Sequence, residues 1–220
     1  MKPRRVAIFG GTFNPVHYGH LRCAEEAREN FKLDRIWFMP SNLPPHKDRK
    51  GTISAMHRIK MIKLAIMGNP YFRVSDLEAK RGGLSYSVST ISRFREADGI
   101  ESLYFILGAD AFAEIDTWKS WKKIFSLTNF IVASRPPYSA GETGLVPVDI
   151  KGEFCYLPDR NLHMHKSGNT IQFFRMTPMD ISSTGIRGLA REGRSIRYLA
   201  PAAVDEYIMK TGCYRDGGHI

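Results

Sequence analysis

The residues best suited to chemistry stand between the first apolar run of the chain and its first helical pattern. The segment reads Gly10-Gly11-Thr12-Phe13-Asn14-Pro15-Val16-His17-Tyr18-Gly19-His20. Glycines let backbone N–H groups approach phosphate oxygens, and a helix N-terminus adds positive potential. His17 and His20 fall within one helical turn, so both can donate to the same phosphate chain. We interpret the segment as a phosphate site, in preference to a bare turn or to a zinc site that would need further ligands.

A second candidate phosphate site lies near the C-terminus. Ser182, Ser183 and Thr184 would cap the helix that carries Arg187, and Ile181 precedes them. Free N–H groups and hydroxyls at a helix start, with a guanidinium one turn on, also suit the β and γ phosphates of a nucleotide. We predict that this segment both caps the helix and binds phosphates.

Three further segments carry candidate ligand-binding side chains. Asp110, in Gly108-Ala109-Asp110, could accept hydrogen bonds from a ribose or adenine, or could cap a helix. Trp118 is by composition more often a core residue than a ligand platform. His46 and Lys47 lie in a Pro-rich basic loop that we expect to close over anionic substrates, with solvated charge as the alternative. His163-Met164-His165 has too few ligands nearby to predict a metal site.

The elements that must position these residues alternate between strand and helix. Short apolar runs predict strands at 6–9, 36–39, 72–74, 103–107, 130–133 and 171–175. Apolar residues at helical spacing predict helices at about 17–31, 56–66, 88–94, 183–191 and 201–211. Gly212 is expected to end the last of these helices.

This alternation predicts an α/β fold, a Rossmann-like doubly wound parallel sheet with helices on both faces. A ligand crevice is expected at the carboxyl ends of the strands. The length of 220 residues suits a single domain, 1–220, with a small C-terminal helical extension at about 182–212. Residues 135–169 are rich in Pro, Gly and mixed charge, and are expected to form a variable surface excursion.

Composition narrows the function classes. Hydrophobic residues make up 43% of the chain and no apolar run reaches the roughly 18 residues of a membrane helix, so we expect a soluble, cytoplasmic protein without a membrane partner. Cys23, Cys155 and Cys213 fit neither a disulfide framework nor zinc-ligand spacing and are interpreted as reduced thiols. The net charge of +10 suits nucleic acid or small polyanions, but no aromatic-rich nucleic-acid signature accompanies it.

The motifs also resemble a known group of enzymes. His17-Tyr18-Gly19-His20 resembles the His-x-Gly-His hallmark of a nucleotidyltransferase superfamily. Together with Pro44-Pro45-His46-Lys47 and Ile181-Ser182-Ser183-Thr184-Gly185-Ile186-Arg187, the segment from Gly10 is similar to nicotinate-nucleotide adenylyltransferases, across nearly the whole chain. That family usually has Asp where this chain has Asn14, and often Thr where it has Ser87.

The resemblance implies transfer of the adenylyl group of ATP to nicotinate mononucleotide, giving nicotinate adenine dinucleotide and pyrophosphate in NAD biosynthesis, with Mg²⁺ held mainly by substrate phosphates. It implies a catalytic set of His17, His20 and Arg187. The implied ATP-binding set is Gly10, Gly11, Thr12, Phe13, His17, His20, Gly108, Asp110, Ile181, Ser182, Ser183, Thr184 and Arg187. The implied mononucleotide-binding set is His46, Lys47, Tyr86, Ser87, Trp118 and Arg135.

Two alternatives compete with this interpretation. Another adenylyl- or cytidylyltransferase of the same superfamily, such as one acting on phosphopantetheine, would share the motifs, although Trp118 and the Pro44-Pro45-His46 segment resemble the nicotinate family. A basic nucleic-acid-binding module on an inactive nucleotide fold would explain the charge, but His17, Gly19, His20 and Arg187 are intact. Homo-oligomerisation and the preference for nicotinate over nicotinamide do not follow from the sequence.

Overall fold

A computed structural model describes residues 4–42, 51–97, 99–134 and 146–215. In these ranges the fold is α/β, with helices flanking a mostly parallel sheet. The strands are β1 (Arg5–Gly11), β2 (Arg35–Pro40), β3 (Phe72–Val74), β4 (Ser102–Gly108), β5 (Asn129–Ser134), β6 (Phe154–Leu157), β7 (Leu162–His165) and β8 (Thr170–Arg175). The helices are α1 (Tyr18–Asn30), α2 (Ala55–Ala65), α3 (Leu77–Arg81), α4 (Ser87–Arg95), α5 (Ala109–Ala113), α6 (Trp121–Leu127), α7 (Ser183–Arg191) and α8 (Ala202–Thr211).

The strand order confirms the predicted fold class. Along the sheet the strands follow β3-β2-β1-β4-β5-β8-β7-β6. β1 pairs with β4, β4 with β5 and β5 with β8, all in parallel, and the first of these pairs sets Val6 against Leu103. Parallel strands are covered on both faces, which explains why the predicted strands are nearly continuous apolar runs.

The described part of the chain forms two compact units. The first is drawn from residues 1–10, 26–37 and 86–178, and the second from 11–25, 38–85 and 179–220. The assignment of 1–220 to a single domain stays a prediction.

The core of the first unit is aromatic. The rings of Phe112 and Phe125 pack against Phe130, and Phe112 also meets Phe173 of β8, at centroid distances of 4.9–5.8 Å. All of these side chains are buried. Each such aromatic pair contributes about 0.5–1.5 kcal/mol beyond its buried area, so this cluster anchors α5 and α6 to the sheet.

The described part of the predicted surface excursion is more regular than the sequence indicated. β6 pairs antiparallel with β7, and β7 antiparallel with β8, so residues 154–165 extend the sheet. Sequence reasoning missed these strands because each has only four residues and Pro158 follows the first directly. Residues 135–145 lie outside the described ranges.

The His163-Met164-His165 tract belongs to β7. His163 is buried beside the Tyr156 ring, 4.7 Å between centroids, and burial lowers the pKa of its imidazole. His165 Nε2 lies 3.1 Å from a Glu153 carboxylate oxygen. The hydrogen bonds from Lys166 and His165 lower the pKa of that carboxyl group. Both imidazoles therefore pack against or contact neighbouring side chains of the first unit.

In the second unit, helix α2 packs against α8. Its buried face consists of Arg58, Ile59, Met61 and Ile62, whereas Met56 is 69% exposed. Met56, the first apolar residue of the pattern that predicted this helix, therefore lies outside the buried face, and an arginine takes part in that face instead. Gly212 adopts a left-handed conformation, φ 68°, and ends α8 as predicted.

Within the described ranges no helix is both long and apolar enough to cross a membrane.

Candidate functional site

The glycine turn after β1 is shaped around one aromatic ring. Phe13 is 2% exposed and adopts a left-handed φ of 49°. A Cβ atom at Gly11 would lie 2.9 Å from Cζ of the Phe13 ring, closer than side chains approach one another. The Gly11 carbonyl accepts a hydrogen bond from Ser41 N at 3.0 Å. The turn therefore requires glycine at position 11, and it holds the start of α1 in a fixed place.

The two histidines of the motif lie side by side at the start of α1, as their spacing predicted. The ring centroids of His17 and His20 are 3.8 Å apart, and the His20 ring also meets the edge of Phe13 at 5.0 Å. His17 is buried and His20 half-buried. His17 N donates to His20 Nδ1 at 3.3 Å. Because Nδ1 accepts, the neutral His20 ring carries its proton on Nε2, which can donate to a phosphate oxygen.

The glycine between the two histidines leaves space for the His17 ring. A Cβ atom at Gly19 would lie 3.1 Å from both Cε1 and Nδ1 of His17. The same position is 3.8 Å from the carbonyl oxygen of Ile181. The start of α1 is thus directly adjacent to the segment that leads into α7.

Hydrogen bonds join the two predicted phosphate motifs within the second unit. Ser183 Oγ donates to the Pro15 carbonyl at 2.8 Å, and Arg187 Nη1 donates to the Asn14 carbonyl at 2.9 Å. Arg187 Nη2 also contacts Thr184 Oγ1 at 3.3 Å. The guanidinium is therefore fixed beside the histidine turn, where cation, imidazoles and helix start can act on one anionic ligand.

The predicted capping role belongs to Ser182. Its hydroxyl accepts a hydrogen bond from Gly185 N at 3.0 Å, and its backbone is extended, as at an N-cap. The binding half of the predicted double role stays a prediction.

Replacing Ser182 by alanine is expected to destabilise the protein by about 1 kcal/mol, because the N-cap hydrogen bond is lost. For a chain of this size that loss lowers the melting temperature by about 2–4 °C. Thermal unfolding followed by circular dichroism measures the shift, with Ser120→Ala as the matched control, because Ser120 is exposed and precedes α6 without a side-chain cap hydrogen bond. Equal melting temperatures for the two variants would contradict the capping role.

Asn14 connects several segments around this site through hydrogen bonds that the sequence did not predict. Its side-chain Nδ2 donates to the Gly51 carbonyl at 2.9 Å, and its Oδ1 accepts from Tyr214 Oη at 2.8 Å. Ile53 N lies 3.5 Å from the same Oδ1. An aspartate could accept from Tyr214 but could not donate to Gly51. The side-chain N–H₂ group of Asn14 therefore makes a hydrogen bond that an aspartate at this position could not make.

Arg58 is the second residue that sequence reasoning missed. Its guanidinium is 0% exposed and donates to three backbone carbonyls, those of Ile53 at 3.1 Å, Thr12 at 2.8 Å and Asn42 at 3.2 Å. Burial lowers the pKa of the guanidinium, while Tyr214 and Glu78 raise it. An arginine on the apolar face of α2 was the available sequence signal, since a buried arginine needs partners.

The remaining ATP-site candidates lie in the first unit. Gly10 stands near the end of β1, and Gly108 occupies the N-cap position of α5. Asp110 lies in the first turn of α5 with its side chain exposed to solvent. The N-cap alternative for Asp110 is therefore wrong, and its carboxylate is accessible to a ligand.

Three of the mononucleotide-site candidates also lie in the first unit. Tyr86 precedes α4 and Ser87 begins it. Lys119 Nζ lies 4.4 Å above the centre of the Tyr86 ring, and the half-buried Trp118 meets Phe105 edge-on at 6.1 Å. Tyr86 and Trp118 therefore belong to one neighbourhood that also contains a cation. The other three candidates, His46, Lys47 and Arg135, lie outside the described residues.

The fold and the paired phosphate motifs define a nucleotide-binding α/β protein, and comparisons with known proteins refine that class. The family model described as "Cytidylyltransferase-like" matches residues 8–189. A protein of Geotalea daltonii, "Probable nicotinate-nucleotide adenylyltransferase", is 45% identical over 97% of this chain and 99% of its own. A protein of Syntrophotalea carbinolica with the same description is 47% identical, over 96% and 97%.

The fold has solved relatives as well. A Plasmodium falciparum nicotinic acid mononucleotide adenylyltransferase complexed with NaAD superposes with a TM-score of 0.73, at 17% identity, over 96% of this chain and 97% of that one. The chain belongs to the cytidylyltransferase-like family and, within it, to the nicotinate-nucleotide adenylyltransferases.

Proposed function

We propose that the protein transfers the adenylyl group of ATP to nicotinate mononucleotide, giving nicotinate adenine dinucleotide and pyrophosphate, a step of NAD biosynthesis. The observation that carries the proposal is the junction of the two phosphate motifs, where Ser183 and Arg187 bond to the carbonyls of Pro15 and Asn14. The names of relatives that match over nearly their whole length support the same reaction.

The reaction is an in-line displacement at phosphorus. A 5′-phosphate oxygen of the mononucleotide attacks the α-phosphorus of ATP, the new P–O bond forms, and the bond to the β-phosphate oxygen breaks with its electron pair leaving on pyrophosphate. A phosphate monoester has a second pKa near 6, so the nucleophile is already ionised at neutral pH. Catalysis then consists of alignment and neutralisation of charge, without a strong general base or a covalent intermediate.

The side chains of the second unit have separate tasks in this mechanism. His20 donates from Nε2 to a phosphate oxygen, with its ring oriented by the hydrogen bond from His17 N. Arg187 offsets charge on the triphosphate, and the N-terminal turn of α7 offers backbone N–H groups to it. ATP enters as its Mg²⁺ complex, with the ion held mainly by phosphate oxygens and water, as Mg²⁺ prefers. A donor set of imidazoles, guanidinium and hydroxyls fits the oxygens of that complex.

The mononucleotide is assigned to side chains of the first unit and to three basic side chains outside the described residues. Trp118 offers a flat aromatic surface to the pyridine ring. Tyr86, whose ring meets Lys119, and Ser87 are assigned to the same substrate. His46, Lys47 and Arg135 supply positive charge for the 5′-phosphate. Gly10, Gly108 and the exposed Asp110 are assigned to the adenosine part of ATP, where a carboxylate can accept from ribose hydroxyls.

We further propose that the protein acts as one catalytic domain in the cytoplasm on small nucleotides and not on nucleic acid. The net charge of +10 suits two phosphorylated substrates and their pyrophosphate product, which supports this proposal. A homo-oligomer is compatible with this reaction, because the residues assigned to it come from one chain.

Pyrophosphate release tests the proposal directly. Purified protein with ATP and Mg²⁺ is offered nicotinate mononucleotide, nicotinamide mononucleotide or phosphopantetheine in separate reactions. We expect release with nicotinate mononucleotide, with the dinucleotide confirmed by mass, and none with phosphopantetheine; the rate with nicotinamide mononucleotide measures the preference. No pyrophosphate release with either pyridine nucleotide would contradict the proposed acceptor. Steeply salt-dependent binding of DNA or RNA, without pyrophosphate release, would favour the nucleic-acid-binding module.

A further inference from the structure

We propose that Tyr214 and Asn14 are positioning residues for Arg187, so that the C-terminal segment of the chain sets the geometry of the phosphate site. The inference rests on the proposed function, because Arg187 is assigned there to the triphosphate. Neither residue contacts the reacting atoms under this proposal. Both act through the carbonyl group that holds the guanidinium.

The contact between the two residues is a short hydrogen bond. Tyr214 Oη donates to Asn14 Oδ1 at 2.8 Å. Loss of water around the hydroxyl is the main reason that the pKa of Tyr214 is raised, with Cys213 adding to the rise and Arg187 and Arg58 opposing it. The phenol is therefore protonated across the neutral range and serves as a donor. Only a group with an acceptor atom can use it, and Asn14 supplies that acceptor.

Asn14 passes this restraint to the catalytic arginine. Its side chain is held at both ends, by Tyr214 on Oδ1 and by the Gly51 carbonyl on Nδ2, and the residue is only 4% exposed. Its backbone carbonyl accepts from Arg187 Nη1 at 2.9 Å. A shift of Asn14 therefore moves the anchor of the guanidinium directly.

The end of α8 explains why Tyr214 reaches this position. Gly212 takes a left-handed conformation, and its N–H donates to the Ile208 carbonyl, which closes the helix. Arg215 N then donates to the Gly212 carbonyl at 3.1 Å, and the turn buries Cys213. The helix stop at Gly212, two residues before Tyr214, thus directs the tyrosine back toward the glycine turn.

A purely structural role is the competing explanation, and Tyr207 provides a matched control for it. Tyr207 lies on α8, is half-buried, and its hydroxyl is 2.8 Å from His57 Nδ1. Tyr207→Phe and Tyr214→Phe therefore each remove one phenol hydrogen bond from the same part of the chain. Only Tyr214 is linked to Arg187 through Asn14.

Steady-state kinetics at a temperature where every variant is folded tests the proposal. We expect Tyr214→Phe to lower kcat for pyrophosphate release about tenfold with little change in KM for ATP, because small displacements of a charge-stabilising group act mainly on the transition state. Tyr207→Phe should stay within about twofold of the unaltered protein, as expected of a change outside the site. Asn14→Ala, which removes the acceptor, should reproduce the loss in kcat.

A double-mutant cycle with Arg187→Lys separates positioning from general damage. In the Arg187→Lys background the effect of Tyr214→Phe should shrink to less than about twofold, because the group that it positions is already gone. An undiminished tenfold effect in that background would overturn the proposal, as would equal effects of Tyr214→Phe and Tyr207→Phe. If the unaltered protein releases no pyrophosphate with nicotinate mononucleotide, the proposed function itself fails, which is a distinct result.

Discussion

Replacing His20 by alanine is expected to lower kcat for pyrophosphate release by about 10²- to 10³-fold, the usual effect of removing one preorganised donor to developing charge. His17 N fixes His20 Nδ1 as an acceptor, and the His17 and Phe13 rings hold the His20 ring in place. The Nε2 donor is therefore oriented before substrate binds. Alanine leaves a space that water can fill, but water has no fixed orientation there.

The fold is expected to survive this change because His20 is only half-buried. His57→Ala is the matched control, since His57 belongs to the same unit but its ring nitrogen faces Tyr207. Steady-state rates give kcat, and single-turnover rates are measured beside them so that slow product release cannot hide the chemical step. Near-normal turnover of His20→Ala, beside a folded circular dichroism spectrum, would rule out the assigned role.

The geometry of the candidate phosphate site was predictable where its residues are close in the chain. The spacing of His17, Gly19 and His20 fixes their mutual position as soon as a helix forms, and α1 begins at Tyr18. The helix over 183–191 was predicted with its observed bounds because a capping serine, Ser182, precedes it and a helical pattern follows. Local chemistry and local structure agree at both motifs, which is why the sequence indicated both.

The residues that sequence reasoning missed depend on contacts between distant segments. Asn14 meets Tyr214 across 200 positions, and Arg58 meets Thr12 across 46. No periodicity or spacing rule predicts which tyrosine will reach which amide. Arg58 was hidden for a further reason: helical patterning assigns charged residues to the solvent face, and here tertiary contacts place the guanidinium inside.

The strands β6 and β7 were missed for a different physical reason. Four-residue strands give too few alternations to stand out from a loop, and the pairing of Cys155 with Met164 is set by the turn between them. Asn161, in a left-handed conformation with φ 45°, shapes that turn. Longer buried strands such as β4 carry their own apolar signal, so they were predicted within one residue of each observed end.

Arg58→Met is expected to be the most destabilising single change in the second unit. Methionine can fill much of the buried volume but donates no hydrogen bond, so the carbonyls of Thr12, Asn42 and Ile53 lose their guanidinium partner. An unsatisfied buried polar group costs about 1–3 kcal/mol, so three together should cost about 3 kcal/mol or more. That loss corresponds to a fall in melting temperature of about 6–12 °C for a chain of this size.

Two further substitutions on α2 serve as controls for Arg58→Met. Lys60→Met makes a similar change at an exposed position of the same helix and should alter stability by less than about 0.5 kcal/mol. Arg58→Lys keeps a positive charge but replaces the planar fork with a single ammonium group, so it should fall between the other two variants. A melting temperature for Arg58→Met equal to that of Lys60→Met would show that the three carbonyls do not need the guanidinium. If Arg58→Lys instead matches the unaltered protein, charge alone holds the turn, and the fork geometry has no role in joining Thr12 to Asn42.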